Sequence, residues 1–192
     1  FRLGGKIMTD IIIVHSKHGD ASNHWYEWLE NNLILEGYDV TLFNIAIESN
    51  DNLAQWIEEM KRQISVKKED TYFVTHGFGT LAALKYIELA DMPVVEGLFS
   101  IAGFKDDAQA ISEDLNIQDL TLNYDIIKGK VCEFYGLCAK NDQQVSYKET
   151  QRLIETLDGT CKVTESGGHF TEEDGFSTFI KLQSKMQAVM SS

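Results

Sequence analysis

Short apolar runs alternate with helical periodicity from one end of the chain to the other, and this alternation constrains the fold more than any other feature. Asp10 to His15 (DIIIVH) is a continuous β-branched run, the pattern of a strand buried on both faces. Asn23 to Glu36 then puts Trp25, Trp28, Leu29 and Leu33 on one helical face. YDVTLFN predicts a second strand, and Asn52 to Ser65 repeats the helical pattern with Leu53, Trp56, Ile57, Met60 and Ile64. TYFVTH predicts a third strand, followed by a helix from about Thr80 to Ala90 that Met92-Pro93 stops. VVEGLFSIAG and KVCEFYGLCA are two further apolar runs, separated by the polar, acidic stretch Lys105 to Lys128. A helix from about Tyr147 to Leu157, a strand at Thr160 to Glu165 and an amphipathic helix from about Thr171 to Val189 complete the pattern.

Strands and helices in this alternation imply βαβ crossovers, hence an α/β fold with a mostly parallel sheet covered by helices on both faces. No repeat, low-complexity tract or Pro/Gly-rich linker divides the chain, and 192 residues suit one core better than two. A single domain over residues 8–192 is expected, with 105–128 as a small cap over the strand ends. Residues 1–7 stand apart. LGGKIM can be encoded by CTA-GGA-GGA-AAA-ATA-ATG, which carries a GGAGG stretch at ribosome-binding distance from the ATG of Met8. Translated leader sequence or residues added in cloning, a start at Met8 and a bacterial source are therefore expected.

The balance of 30 acidic against 17 basic residues, a formal net charge of -13, repels a phosphate backbone and an anionic membrane surface alike. Neither nucleic acid nor membrane is expected as a partner, and a small molecule is. No stretch approaches the roughly 18 apolar residues of a membrane span, and no apolar signal core stands near the N-terminus. Cys132, Cys138 and Cys161 form an odd set without metal-type C-x-x-C spacing. They read as reduced core thiols, which makes the cytoplasm the expected compartment.

Ligands in such sheets bind at the carboxyl ends of the strands. The residues there are His15-Ser16-Lys17, His76-Gly77-Phe78-Gly79, Ala102-Gly103, Asn141-Asp142 and Gly167-Gly168-His169. THGFG has the strand, tight turn and helix layout of a nucleophile elbow, in which G-x-S-x-G presents a serine. Here the residue at the tip is Gly77. The chain order Gly77, Asp142, His169 is the α/β-hydrolase order of nucleophile, acid and base. Each residue also has a plainer reading. A Gly-x-Gly at a strand–helix junction can serve packing alone, Asp142 can be a turn acid, and His169 a turn histidine. His15, His18, His24 and His76 raise the question of a metal, but no pair has the i, i+4 spacing of a zincin, and neither metal nor cofactor is expected. Cys138, Ser16 and Ser100 are the nearest alternative nucleophiles, and none lies on an elbow.

The stretch from about Thr9 to Met186 resembles the YdeN and retinoblastoma-binding-protein-like serine hydrolases, small α/β-hydrolases of a reduced type. The resemblance rests on IIIVHS, NHWYEWLE, THGFG, AKNDQQVS and, most specifically, GGHFTEEDGF. It implies an α/β-hydrolase three-layer sandwich with His169 as general base, Asp142 as the acid that orients it, and Gly77 in the nucleophile's position. The oxyanion hole would be formed by the backbone N–H groups of Phe78 and Lys17. The chain departs from the family pattern at Gly77, where serine is usual, and at Ser16, where many members have the glycine of a His-Gly loop. Three readings follow: a hydrolase of small esters, thioesters or amides that has lost its nucleophile, a binding or regulatory protein that keeps the pocket, and a site that activates water in place of serine.

Overall fold

The structure, a computed structural model, describes residues 8–46, 52–108 and 120–191. Residues 1–7, read above as leader, lie outside the described residues, as do 109–119 of the expected cap. Six parallel strands form one sheet: β1 (Asp10–Val14), β2 (Asp39–Phe43), β3 (Thr71–His76), β4 (Val95–Ile101), β5 (Val131–Ala139) and β6 (Thr160–Thr164). Their spatial order is β2-β1-β3-β4-β5-β6. Among the described residues, six α-helices connect and cover them: α1 (Tyr26–Leu35), α2 (Leu53–Gln63), α3 (Phe78–Leu89), α4 (Tyr124–Lys130), α5 (Tyr147–Thr156) and α6 (Ile180–Met190).

The strand pleat explains the three layers. Ile11 and Ile13 of β1, with Tyr72 and Val74 of β3, pack against Trp25 and against Tyr26, Leu29 and Leu33 of α1 and Leu182 and Met186 of α6. Ile12, Val14 and Phe73 point to the other face, where α2, α3, α4 and α5 supply Trp56, Met60, Leu81, Ile127 and Leu153. Both faces of β3 are covered, so all six of its residues are buried. Each large side chain so buried contributes about 1.5–3 kcal/mol. The polar residues among them, Thr71, Thr75 and His76, therefore need hydrogen-bond partners inside the protein. Among the described residues, no helix is long and apolar enough to cross a membrane.

Four expectations are corrected. The last helix begins at Ile180 rather than near Thr171, because Asp174 closes a capping box with Thr171 around the short 3₁₀ turn Glu172–Asp174 and Gly175 then turns left-handed at φ 93°. Helix α1 starts at Tyr26 rather than Asn23, since His24 has φ 53°, which no α-helix accommodates. Helix α4 lies inside the stretch read as polar; Asn123 caps it through Ile126 N–H (3.1 Å), and Ile127 is its buried anchor. The residues beside α4 join the end of α3, with Thr121 O bonded to Lys85 Nζ (2.9 Å) and Asn123 N–H to Glu88. Finally, Cys132 is exposed and is no core thiol; Cys138 is buried and Cys161 half-buried.

Candidate active site

Strand β3 ends at His76 and α3 begins at Phe78, so the chain reverses direction on one residue. Gly77 has φ 54° and ψ -126°, and its N–H donates to Ile101 O (2.8 Å) at the end of β4. A residue with a Cβ pays about 1–3 kcal/mol for a sparsely populated backbone conformation of this kind, whereas glycine enters it freely. Gly79 has a different task. A Cβ there would lie 2.2 Å from His15 O and 2.9 Å from Val14 O, so only glycine lets α3 start hard against the end of β1.

A Cβ built on Gly77 would point at His169, with Nε2 3.0 Å away and Ser16 Cβ 3.5 Å away. His169 Nδ1 lies 2.9 Å from Asp142 Oδ2, and the Asp142 side chain is 1% exposed. The other Asp142 oxygen accepts the N–H groups of Gln144 (2.8 Å) and Val145 (3.0 Å). One Asp142 oxygen thus holds its own turn and the other faces the His169 ring. With Nδ1 turned to the carboxylate, the other ring nitrogen, Nε2, faces the space beside Gly77. The structure brings Gly77, Asp142 and His169 together at the carboxyl ends of β3, β5 and β6.

The other predicted positions fall close by. Phe78 is the first residue of α3, so its N–H has no partner within the helix and sits at the positive end of the helix dipole; its ring packs edge-on against Trp56 (5.1 Å). Ser16 and Lys17 follow β1; Ser16 N–H donates to the Tyr26 hydroxyl (2.9 Å), and Lys17 O accepts Gly19 N–H (3.1 Å). Ser100 is buried and hydrogen-bonded to Thr80 Oγ1 (2.9 Å). His15 accepts Ile45 N–H at Nε2 (3.0 Å) and donates from Nδ1 to Ser16 O (2.7 Å), while His18 is exposed. Among the described residues, no three His, Cys, Asp or Glu side chains are grouped to hold a metal ion.

His76, Tyr26, Asp174, Asn141, His24 and Trp25 hold the His169 loop through contacts that the sequence reading did not assign to them. His76 stacks on His169 (5.0 Å between centroids, 27° between planes), donates from Nε2 to His169 O (2.7 Å) and meets the Tyr26 hydroxyl at Nδ1 (2.7 Å). Complete burial, and then the neighbouring His169, push the His76 imidazole well below its usual range. Asp174 accepts His169 N–H (2.9 Å), and Asn141 accepts Gly168 N–H (2.8 Å), fixing the backbone on both sides of the Gly168–His169 bond. His24 accepts Glu172 N–H (2.9 Å), and Trp25 Nε1 donates to Phe170 O (3.0 Å), so the loop before α1 is bonded to the His169 loop. A signal for His76 exists: a histidine at the end of a fully buried strand requires two partners.

Comparison with known proteins gives the geometry a lineage. The chain is 22% identical over 169 residues to YdeN of Bacillus subtilis, covering 88% of this chain and 89% of that one. The crystal structure of the B. subtilis ydeN gene product superposes with a TM-score of 0.86 at 21% identity, over 96% of this chain and all (100%) of that one. A YdeN-like protein from Pectobacterium atrosepticum gives a TM-score of 0.66 at 16% identity, over 96% and 91% of the two chains. XC6422 from Xanthomonas campestris, described as an α/β serine hydrolase without a lid, gives 0.58 at 15% identity, over 97% and 84%. These likenesses show an α/β-hydrolase fold. The family model described as serine hydrolase matches residues 11–188, and the chain belongs to that family.

Proposed function

We propose that the chain is a serine-hydrolase relative that retains the base, the orienting acid and the backbone donors for a small ester, thioester or amide, and forms no acyl-enzyme because Gly77 occupies the nucleophile's place. The observation that carries this reading is the direction of the missing side chain: a Cβ on Gly77 would face His169 Nε2 at 3.0 Å. Acyl transfer through an elbow needs a nucleophilic atom there, and glycine supplies only hydrogen. Phe78 N–H and Lys17 N–H are assigned as oxyanion donors, which a change of side chain at 77 leaves in place. With a net charge of -13, the partner is taken to be a small molecule rather than nucleic acid or an anionic membrane, and the free thiols favour the cytoplasm.

The test is labelling with a fluorophosphonate probe. The chain as written stays unlabelled, Gly77→Ser becomes labelled, and adding His169→Ala abolishes the label. Labelling of the unaltered chain at a residue that depends on His169 overturns the reading. One distance favours a second reading, that of a binding protein using the same pocket. At 3.0 Å, His169 Nε2 must retreat by a few tenths of an ångström before a Cβ fits, so the imidazole has settled around a glycine. A folded Gly77→Ser variant that stays unlabelled makes this second reading the leading one.

A further inference from the structure

Strands β5 and β6 run parallel in the register Gly136 to Cys161 and Cys138 to Val163, which makes Cys138 and Cys161 diagonal neighbours. Their sulfur atoms are 3.7 Å apart. Gly136 makes this approach possible. A Cβ there would lie 3.1 Å from Cys161 Sγ and 2.5 Å from Ile154 Cγ1, so the glycine opens a slot between β6 and α5 that the Cys161 side chain uses. The two thiols differ in setting. Cys138 is fully buried, whereas Cys161 is half-buried on the outermost strand of the sheet. Their contact holds the Cys161 thiol below its usual range and, with burial, pushes the Cys138 thiol up.

We propose that Cys138 and Cys161 form an oxidative modification site, a dithiol that a peroxide closes into a disulfide linking β5 to β6. The Cys161 thiolate attacks one peroxide oxygen, the O–O bond breaks and hydroxide leaves, giving a sulfenic acid at Cys161. The Cys138 sulfur then attacks the Cys161 sulfur, the S–O bond breaks, and the departing hydroxide takes up the Cys138 proton as water. Two thiols lose two electrons and one hydrogen peroxide becomes two waters. The sulfur atoms must close from 3.7 Å to about 2.05 Å, a movement that the outer strand can share with the two side chains. The crosslink would lie at the root of the site, because Cys138 O accepts Thr164 Oγ1 (3.2 Å) just before the chain enters the His169 loop, and Asp142 follows Cys138 by four residues.

The full chain, treated with a small excess of hydrogen peroxide and then unfolded in denaturant with iodoacetamide, is expected to retain one alkylatable thiol of three, at Cys132, with a monomer mass lower by two hydrogens. Peptide mapping should find the 138–161 linkage, reversed by dithiothreitol. In Cys138→Ser, dimedone should trap a sulfenic acid at Cys161, and Cys161→Ser should trap none at Cys138. Retention of both thiols while Cys132 alone oxidises, or a linkage only between separate chains, overturns the proposal. The thiol count on the unaltered chain decides it even if a variant fails to fold.

Discussion

Two stretches meet beside His169 Nε2 and are built in opposite ways. The His169 loop is held by side chains: Asp142 on the ring, Asp174 and Asn141 on the backbone, His76 beneath, and Trp25 and His24 from the facing loop. The elbow is held by backbone: a Gly77 N–H bond to β4 and the close approach of Gly79 to β1. A site of the first kind depends on each partner that supports it. In the second kind the residue at the tip supports nothing, so position 77 can change its chemistry while the turn persists. That asymmetry explains how His169 and Asp142 can stand assembled beside a turn whose tip is glycine.

The largest effect tests the side-chain half. In the Gly77→Ser background, Asp142→Asn should slow fluorophosphonate labelling by about 10⁴-fold, as loss of the orienting carboxylate does in serine proteases. A loss under tenfold would mean that Asp142 serves only its turn. The backbone half should show its importance through stability. Gly79→Ala places a methyl 2.2 Å from His15 O and should cost about 3 kcal/mol or more in urea unfolding, without altering any group that contacts His169's ring. A cost below 1 kcal/mol would show that α3 can withdraw from β1 freely.

The smallest effect is a pH dependence, and its sign follows from His76. Its imidazole stays neutral in the fold well below the usual range and takes up a proton near pH 6.5 when unfolded. The stability it confers is therefore complete above about pH 6.5 and is lost as pH falls below that value, by about 1.4 kcal/mol per pH unit. His15 and His24, both lowered chiefly by burial, act in the same direction. Unfolding free energies at pH 7.5, 6.5 and 5.5 should show the decline, and His76→Phe, although less stable at neutral pH, should show a shallower one. Equal slopes in the two proteins would remove His76 from this account.

The sheet was legible because β1 and β3 are buried on both faces and their continuous apolar runs leave few other folds. Gly77, Asp142 and His169 were legible as a group because each follows the carboxyl end of a strand, where an α/β fold gathers its ligand groups. What escaped reading depends on contacts between distant segments. Nothing local marks Asp174 as the acceptor for His169 N–H, and the apparent helical periodicity after Thr171 gives no sign of the Thr171–Asp174 capping box that interrupts it. Tyr26 reads as one more aromatic residue on a helix until His76 and Ser16 close around its hydroxyl. Cys132 seemed internal because its strand is apolar, but it stands near the start of β5, beside exposed Glu133.

The Tyr26 hydroxyl carries a single proton, and that fact gives the hydrogen-bonded line beneath His169 a polarity. His76 Nε2 faces a carbonyl and must hold hydrogen, so the neutral ring leaves Nδ1 bare, and Tyr26 sends its proton there across 2.7 Å. The longer 3.2 Å contact with Ser16 Oγ is then supplied from the serine side. Arrows of donation run one way, from the loop after β1, through tyrosine and histidine, into the carbonyl of His169. A proton added to His76 would reverse the middle of that line, turning Tyr26 toward Ser16 and changing what the serine hydroxyl can offer a bound molecule. A fully buried imidazole would in this way set the hydrogen-bonding sense of the Ser16 hydroxyl.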